Sequence, residues 1–266
     1  MQRALFVLTP AEAKRLIARG VRCLPEVEYA LQNGKIIIAG GTTNAFVVEE
    51  ITGREIPKER YTAGIVTEGR LCITPSDTRI TPIVLVKGSV VDAGWEDVLD
   101  DFGPEDVFIK GANAIDASGL AGVLVSSPTG GTIGRALGVL EARGAHLVIP
   151  VGLEKMIPSV KAAAKSCGSR LFDYSLGIPV GLIPLVYGRV VTELVALEIL
   201  TGVDAVAIGA GGVGGSEGSV TIAVSGEREK VSSAFALIKE IKGEPPLAGI
   251  RQKCTGCPNR CSYAKK

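Results

Sequence analysis

Apolar residues in this chain gather into short continuous runs. Lys35–Ala39 (Lys-Ile-Ile-Ile-Ala), Val107–Lys110, Val123–Ser126 and Leu147–Val151 are almost wholly aliphatic or β-branched, as strands buried on both faces of a sheet are. Between the last two, Thr132–Arg143 sets Ile133, Leu137 and Leu140 on one helical face. Thr9-Pro10 opens a helix to about Arg19, with threonine as N-cap and proline at the first position. Helices are also predicted at about Pro25–Gln32, closed by Asn33-Gly34, and at Asn44–Ile51, closed by Thr52-Gly53. Leu5–Leu8 and Ile83–Lys87 read as strands, Gly64–Thr67 and Arg70–Thr74 as a hairpin around Glu68-Gly69, and Trp95–Asp100 as a polar helix. Strands alternating with helices predict an α/β fold, a three-layer αβα arrangement with a mainly parallel sheet. Lys35–Ala39, Val107–Lys110 and Leu147–Val151 are expected in that one sheet.

The pattern changes after Pro179. Ile178–Val191 is apolar but broken by Pro179, Gly181, Pro184 and Gly188, so it does not read as a membrane span. Val190–Thr201 reads as an apolar helix, Ala205–Gly209 as a strand, Gly209–Gly218 as a glycine-rich loop, Ser219–Ser225 as a strand and Glu227–Lys242 as a helix. The expected organisation is a main α/β domain over 1–188, a smaller ferredoxin-like α+β unit over 189–246 and a short Cys-rich tail over 247–266.

Composition narrows the function classes. Of 266 residues 46 % are hydrophobic, enough for a full core, and the net charge of +1 with interspersed signs lacks the basic footprint of a nucleic-acid binder. Aromatic residues, at 5 %, are too few for base-stacking platforms. The start, Met1-Gln-Arg-Ala-Leu-Phe-Val-Leu, is too short an apolar run for a signal peptide. A cytoplasmic location is expected, with no nucleic-acid or membrane partner; homo-oligomerisation is left open. Six cysteines without an export signal point to thiols or metal ligands rather than disulfides.

Candidate chemistry lies where the strands end. Gly40-Gly41-Thr42-Thr43-Asn44 follows the first buried run, and Pro128-Thr-Gly130-Gly131-Thr-Ile-Gly134 precedes the helix at Thr132. Backbone amides of such loops, followed by a helix N-terminus, form a site for an anion. Lys110, Asn113 and Asp116 follow the strand Val107–Lys110 and belong at its carboxyl end, where ligands bind in open α/β sheets. The same residues also serve as turn formers: Asp116 can cap the chain toward Ser118-Gly119. His146, the only histidine, has no acid–nucleophile pattern around it.

Ile37–Asn44 and Val107–Lys155 together resemble the superfamily of ribose-5-phosphate isomerases, glucosamine-phosphate deaminases, CoA transferases and the sugar-phosphate sensor domains of DeoR-type regulators. Gly40-Gly41-Thr42-Thr43 is similar to its Gly-x-Thr-Thr phosphate loop, Gly111-Ala-Asn-Ala-Ile-Asp116 to the sensors' Gly-Ala-Asn-Gly-Ile-Asp segment, and Glu154-Lys155 to an acidic strand end followed by lysine. The resemblance covers roughly Lys35–Pro158. It implies an anionic small-molecule ligand, a sugar phosphate or CoA-type compound, held by Gly40, Gly41, Thr42, Thr43, Asn44, Lys110, Asn113, Asp116, Gly130, Gly131 and Lys155.

The departures bear on catalysis. The isomerases use an Asp-Gly-Ala-Asp-Glu-type loop and a glutamate in the next helix; here Lys110 replaces the first aspartate, Asn113 the second, and Arg135-Ala-Leu-Gly carries no acid. Binding is therefore expected, with conversion of the ligand or non-catalytic sensing as alternatives, and no catalytic residue is assigned. A CoA transferase needs a glutamate at a glycine-framed turn, for which Glu68-Gly69 and Glu217-Gly218 are the candidates. Outside the resemblance, Cys254-x-x-Cys257-x-x-x-Cys261, spaced by Gly256, Pro258 and Asn259, offers three thiols for a zinc ion or an iron–sulfur cluster. Its neighbours Lys253 and Arg260 favour thiolates. That tail supplies a third reading, a metalloprotein whose α/β part is a platform.

Overall fold

The computed structural model describes every residue except Gly256, Pro258, Arg260, Lys265 and Lys266. The chain runs β1 (Gln2–Leu8), α1 (Pro10–Arg22), α2 (Pro25–Asn33), β2 (Lys35–Ile38), α3 (Thr42–Thr52), β3 (Gly64–Thr67), β4 (Arg70–Ile73), β5 (Ile83–Val86), β6 (Ser89–Val91) and α4 (Trp95–Leu99). It continues through β7 (Val107–Ile109), β8 (Ala114–Ile115), β9 (Ala121–Val125), α5 (Gly131–Arg143), β10 (His146–Pro150) and α6 (Val160–Lys165). The last elements are β11 (Gly181–Leu185), β12 (Arg189–Val191), α7 (Glu193–Thr201), β13 (Asp204–Ala210), β14 (Val220–Gly226) and α8 (Arg228–Ile241).

The protein is α/β with mixed sheets. The largest sheet has the order β12-β10-β7-β2-β5-β6. β12, β10, β7 and β2 are mutually parallel, whereas β5 pairs antiparallel with β2 and β6 antiparallel with β5. The three runs expected together are thus neighbours. The chain returns antiparallel to β2 as β5 after α3 and the β3–β4 hairpin, and a tight turn at Lys87-Gly88, both at positive φ, sends it back as β6. The Glu68-Gly69 turn joins β3 to β4 in the same way, as expected.

Alternate residues of the parallel strands enter two apolar clusters. Ile36, Ile38, Val107, Ile109 and Val148 pack with residues of α1, α2, α3, α7 and α8. Ile37, Phe108, Leu147 and Ile149 pack with Leu99 of α4 and Ile133, Ala136 and Leu140 of α5. Burial on both sides is why these runs carry no polar alternation.

Three segments differ from the expected layout. The run Val123–Ser126 leaves the large sheet, because the Asp116–Gly119 turn folds β9 straight back on β8, and β11 completes that small sheet. A parallel partner would need a crossover of about a dozen residues, and this link has too few. Pro184 sits in β11, which pairs only with β9, so its missing N–H costs no ladder bond. The helix expected from Val190 starts at Glu193, since Arg189–Val191 extend the parallel sheet as β12 and Thr192 caps α7 through the Val195 amide. The segment 189–246 therefore contributes a strand to the large sheet, and its β13–β14 hairpin takes β1 as its third strand. α1 packs against α3, α7 and α8, between the two sheets. No helix among the described residues is long and apolar enough to cross a membrane.

Candidate functional site

Four adjacent parallel strands end on one edge, and each runs into a chemically distinctive segment. β2 leads to Gly40-Gly41 and the start of α3, β7 to Lys110, β10 to Gly152 and the turn Leu153–Lys155, and β12 to Thr192-Glu193. Parallel pairing carries these four ends to the same side of the molecule. The ends of β2, β7 and β10 border a cavity of about 1320 Å³ whose walls include Gly40–Thr43, Lys110, Asn113, Gly130–Thr132, Glu154 and Lys155, and the end of β12 lies behind that wall. The walls also include Thr9–Glu12 and Lys14 from α1, Arg79, and Gly215, Glu217 and Gly218 from the glycine-rich loop.

Two helices aim uncapped N-termini at the cavity. α3 begins after Gly41 and α5 after Gly130, and neither has a side-chain cap, unlike α1, where Thr9 and Glu12 form a reciprocal capping box. Free first-turn amides carry the positive end of each helix dipole. Thr43, only 2 % exposed, is a wall residue whose own hydroxyl is buried and has no hydrogen-bond partner among the described residues. Close approach at α5 depends on glycine, since a Cβ on Gly134 would collide with the Thr129 carbonyl oxygen.

Lys110 and Lys155 supply charge. Lys110 Nζ lies 3.4 Å from the carbonyl oxygens of both Gly40 and Gly111, and Lys155 Nζ donates to Ala112 at 2.9 Å. Neither forms an ion pair with a described carboxylate. Burial lowers both amines from 10.5 to about 8, and the nearby Lys14 and Lys110 cations push Lys155 the same way. Lys14, itself 6 % exposed, is neutralised by Glu154 at 2.6 Å. Behind this pair Glu193 is fully buried and accepts the Leu153 amide at 2.9 Å, which fixes the turn bearing Glu154 and Lys155. Burial raises the Glu193 carboxyl from 4.5 to about 7, and the Glu154 charge adds to the rise.

The residues expected to bind ligand divide into two groups. Gly40, Gly41, Thr42, Thr43, Lys110, Asn113, Gly130, Gly131 and Lys155 all reach the cavity. Asn44 and Asp116 are not on its wall. Asn44 is fully buried and straps two strand ends, its Nδ2 donating to Ala39 at 2.6 Å and to Ile109 at 3.1 Å. Asp116 accepts from the Ser118 amide at 3.0 Å and hydroxyl at 2.5 Å and from the Val160 amide at 2.9 Å, closing its own turn and anchoring α6. These bonds, the Ser118 hydroxyl first, hold its carboxyl below the usual range. Asn113 also has a structural bond, its Oδ1 accepting the Leu124 amide at 3.1 Å.

Sequence reasoning missed Lys14, Arg79 and Glu193. Lys14 and Arg79 lie far from any glycine-rich strand end, whereas Thr192-Glu193 has a legible mark, a capping threonine directly after an apolar run. Arg79 has a buried Nε without a partner among the described residues, and burial lowers its pKa. Of the glutamates weighed as nucleophiles, Glu68 is tied to Arg251 at 2.7 Å, and Glu217 reaches the cavity while accepting the Gly215 amide at 2.9 Å.

In the tail the three thiols face different neighbours. Cys254 lies 3.7 Å from an Arg251 nitrogen and 4.0 Å from one of Arg70, whose guanidinium also covers the Tyr263 ring. Cys257 and Cys261 border a separate cavity of about 370 Å³ together with Asp173. No three Cys, His, Asp or Glu side chains among the described residues are grouped as metal ligands. The turn expected at Gly256 and Pro258, and the basic Arg260, lie outside the described residues. The sequence matches no protein-family model and no curated protein.

Proposed function

We propose that this protein binds a phosphorylated small metabolite, a sugar phosphate or CoA-type compound, at the carboxyl edge of its large sheet. Thr43 carries the reading. A buried hydroxyl without a partner costs ~1–3 kcal/mol, and this one belongs to a wall residue in the first turn of an uncapped helix, beside Gly40 and its contact Lys110, where a turn of the side chain would present it to a ligand. An oxyanion accepting from Thr43, the α3 amides and Lys110 satisfies all of them at once. The second uncapped helix, α5, offers a place for further anionic oxygens. The frame proposed with this site is the three-layer αβα architecture of the isomerase and CoA-transferase superfamily, supported by the two apolar clusters on either side of the parallel strands.

The cavity is not uniformly cationic, which narrows the ligand. Glu154 lies against the α1 start and the glycine-rich loop; a Cβ on Gly218 would meet Pro10 at 3.2 Å and Glu154 Oε2 at 3.6 Å. An anion is repelled there, whereas hydroxyl groups can donate to the carboxylate. A polyhydroxylated compound with a terminal phosphate suits both neighbourhoods. Glu154, paired with Lys14, and Glu217 are carboxylates on this wall that a converted ligand would meet, and a sensor would use the same contacts without turnover. Calorimetry with inorganic phosphate, ribose 5-phosphate and CoA tests the reading. Thr43→Val and Lys110→Met should each weaken binding by about fivefold or more. Wild-type affinity in both variants, or no binding to any of the three, overturns it.

A second reading rests on Cys257 and Cys261 sharing one cavity with Asp173. The three side chains are not grouped as metal ligands here, so zinc or an iron–sulfur cluster would have to draw them together and recruit Cys254 from its arginine neighbours. Metal analysis after purification without oxygen decides this, since free alkylation of all three thiols with only traces of zinc and iron removes the tail from the functional account.

A further inference from the structure

The sheet β1-β14-β13 has one face on the core and one face bare. Phe6, Leu8, Ile222 and Val224 point inward and are buried. The outward residues form rows fixed by the strand register. Arg3, Ser225 and Asp204 make one row, Leu5, Ala223 and Val206 the next, and Val7 faces Thr221 in the third. Leu5 is 60 % exposed, Val206 59 % and Val7 45 %, and Ile208, in the β13 bulge, is 58 % exposed. One apolar side chain in solvent means little, but four on a single sheet face form a contact surface. Arg3 and Asp204 flank it on opposite strands of one row, and neither forms an ion pair among the described residues.

That layout is self-complementary. A two-fold axis parallel to β14, midway between two facing sheets, lays β1 of one copy over β13 of the other. Leu5 then meets Val206, Val7 meets the Ile208 bulge, Ala223 meets Ala223, and Arg3 meets Asp204 twice by symmetry. The alternative in-plane axis, across the strands, sets the charged row over the Val7 row and leaves both charges unpaired. We propose that the protein forms a symmetric homodimer through this face, with the first of these two arrangements. Aligned packing of sheets at about 10 Å accommodates such small and medium side chains.

The face is small. Three strands of about seven residues span roughly 350 Å² per copy, below the ~800 Å² per partner of a standard interface. The dimer is therefore weak and transient. The loop joining β13 to β14 lines the metabolite cavity, so pairing of two copies braces that wall without blocking it.

Sedimentation equilibrium of the full chain over micromolar to near-millimolar concentration tests the proposal. Val206→Lys should abolish dimerisation, and Arg3→Glu should weaken it by about tenfold or more. Adding Asp204→Arg to Arg3→Glu should restore it, because the reversed charges again face each other. Both sites are exposed, and circular dichroism and thermal melting confirm that each variant is folded. A wild-type chain that stays monomeric throughout overturns the proposal. A dimer indifferent to the charge reversal, or not rescued by the double reversal, overturns the arrangement and leaves edge pairing through β13.

Discussion

Raising the pH from 7 to 9 should remove most of the cavity's attraction for a dianion, because Lys110 and Lys155 both titrate at about 8. Burial is the main cause for each, and a bound anion, by supplying a counter-charge, restores both protons. Binding therefore takes up protons above pH 8, and affinity must fall as pH rises. For one amine titrating at about 8 the protonated fraction falls about tenfold between pH 7 and 9. If the anion binds only the doubly protonated form, the loss is roughly 100-fold, or ~2.7 kcal/mol. Sulfate is the suitable probe, because it keeps two charges across the range whereas phosphate changes its own. Calorimetry at half-unit pH steps should give a slope that steepens above 8, and Lys110→Met and Lys155→Met should each flatten it by about half. Affinity constant within twofold from pH 7 to 9, or a slope unchanged in both variants, would refute the assignment of these amines to the anion site.

Other outcomes depend on single contacts. Glu193 keeps its proton to about 7 in the folded state and gives it up near 4.5 when unfolded, so stability should fall as pH rises through that window. Glu193→Gln, which still accepts the Leu153 amide, should flatten the fall by up to ~3 kcal/mol; identical urea midpoints across pH for both proteins would count against it. Asn44→Ala loses the bonds that join the ends of β2 and β7, at a cost of ~1–3 kcal/mol in denaturant unfolding, and an unchanged midpoint would show that water replaces them. Asp116→Ala should destabilise without changing sulfate affinity, because its partners are Ser118 and Val160 rather than the cavity; a matched loss of affinity would return it to the site.

The parallel core was legible because Lys35–Ala39, Val107–Lys110 and Leu147–Val151 have no polar alternation, which only two-sided burial explains. Once those strands were adjacent, the positions of Gly40–Thr43, Lys110 and Lys155 followed from where each run stopped. Asn44 and Asp116 misled because a short polar side chain at a strand end serves backbone and ligand equally well, and only coordinates show which it satisfies. Lys14 was hidden on an amphipathic helix where lysine ordinarily means solvent, and the packing of α1 between α3 and α7 turned it inward. The departure of β9 from the large sheet depended on the length of one link, and the pairing of β1 with β14 had no local signal at all.

That last pairing governs the order in which the molecule can be assembled. Register joins Gln2 to Gly226 and Leu8 to Val220, so β1 has no partner until β14, far downstream, has been made. The large sheet, by contrast, can pair β2 with β5 soon after each is made. Closing so long a loop is slow, and until it closes Phe6 and Leu8 lie open on a strand with two free edges. α1 also waits for α7 and α8, and Lys14 travels with it. The cavity wall nearest the N-terminus is therefore the last to form, and a nascent chain released too early would carry the glycine loops and both uncapped helices but no finished pocket.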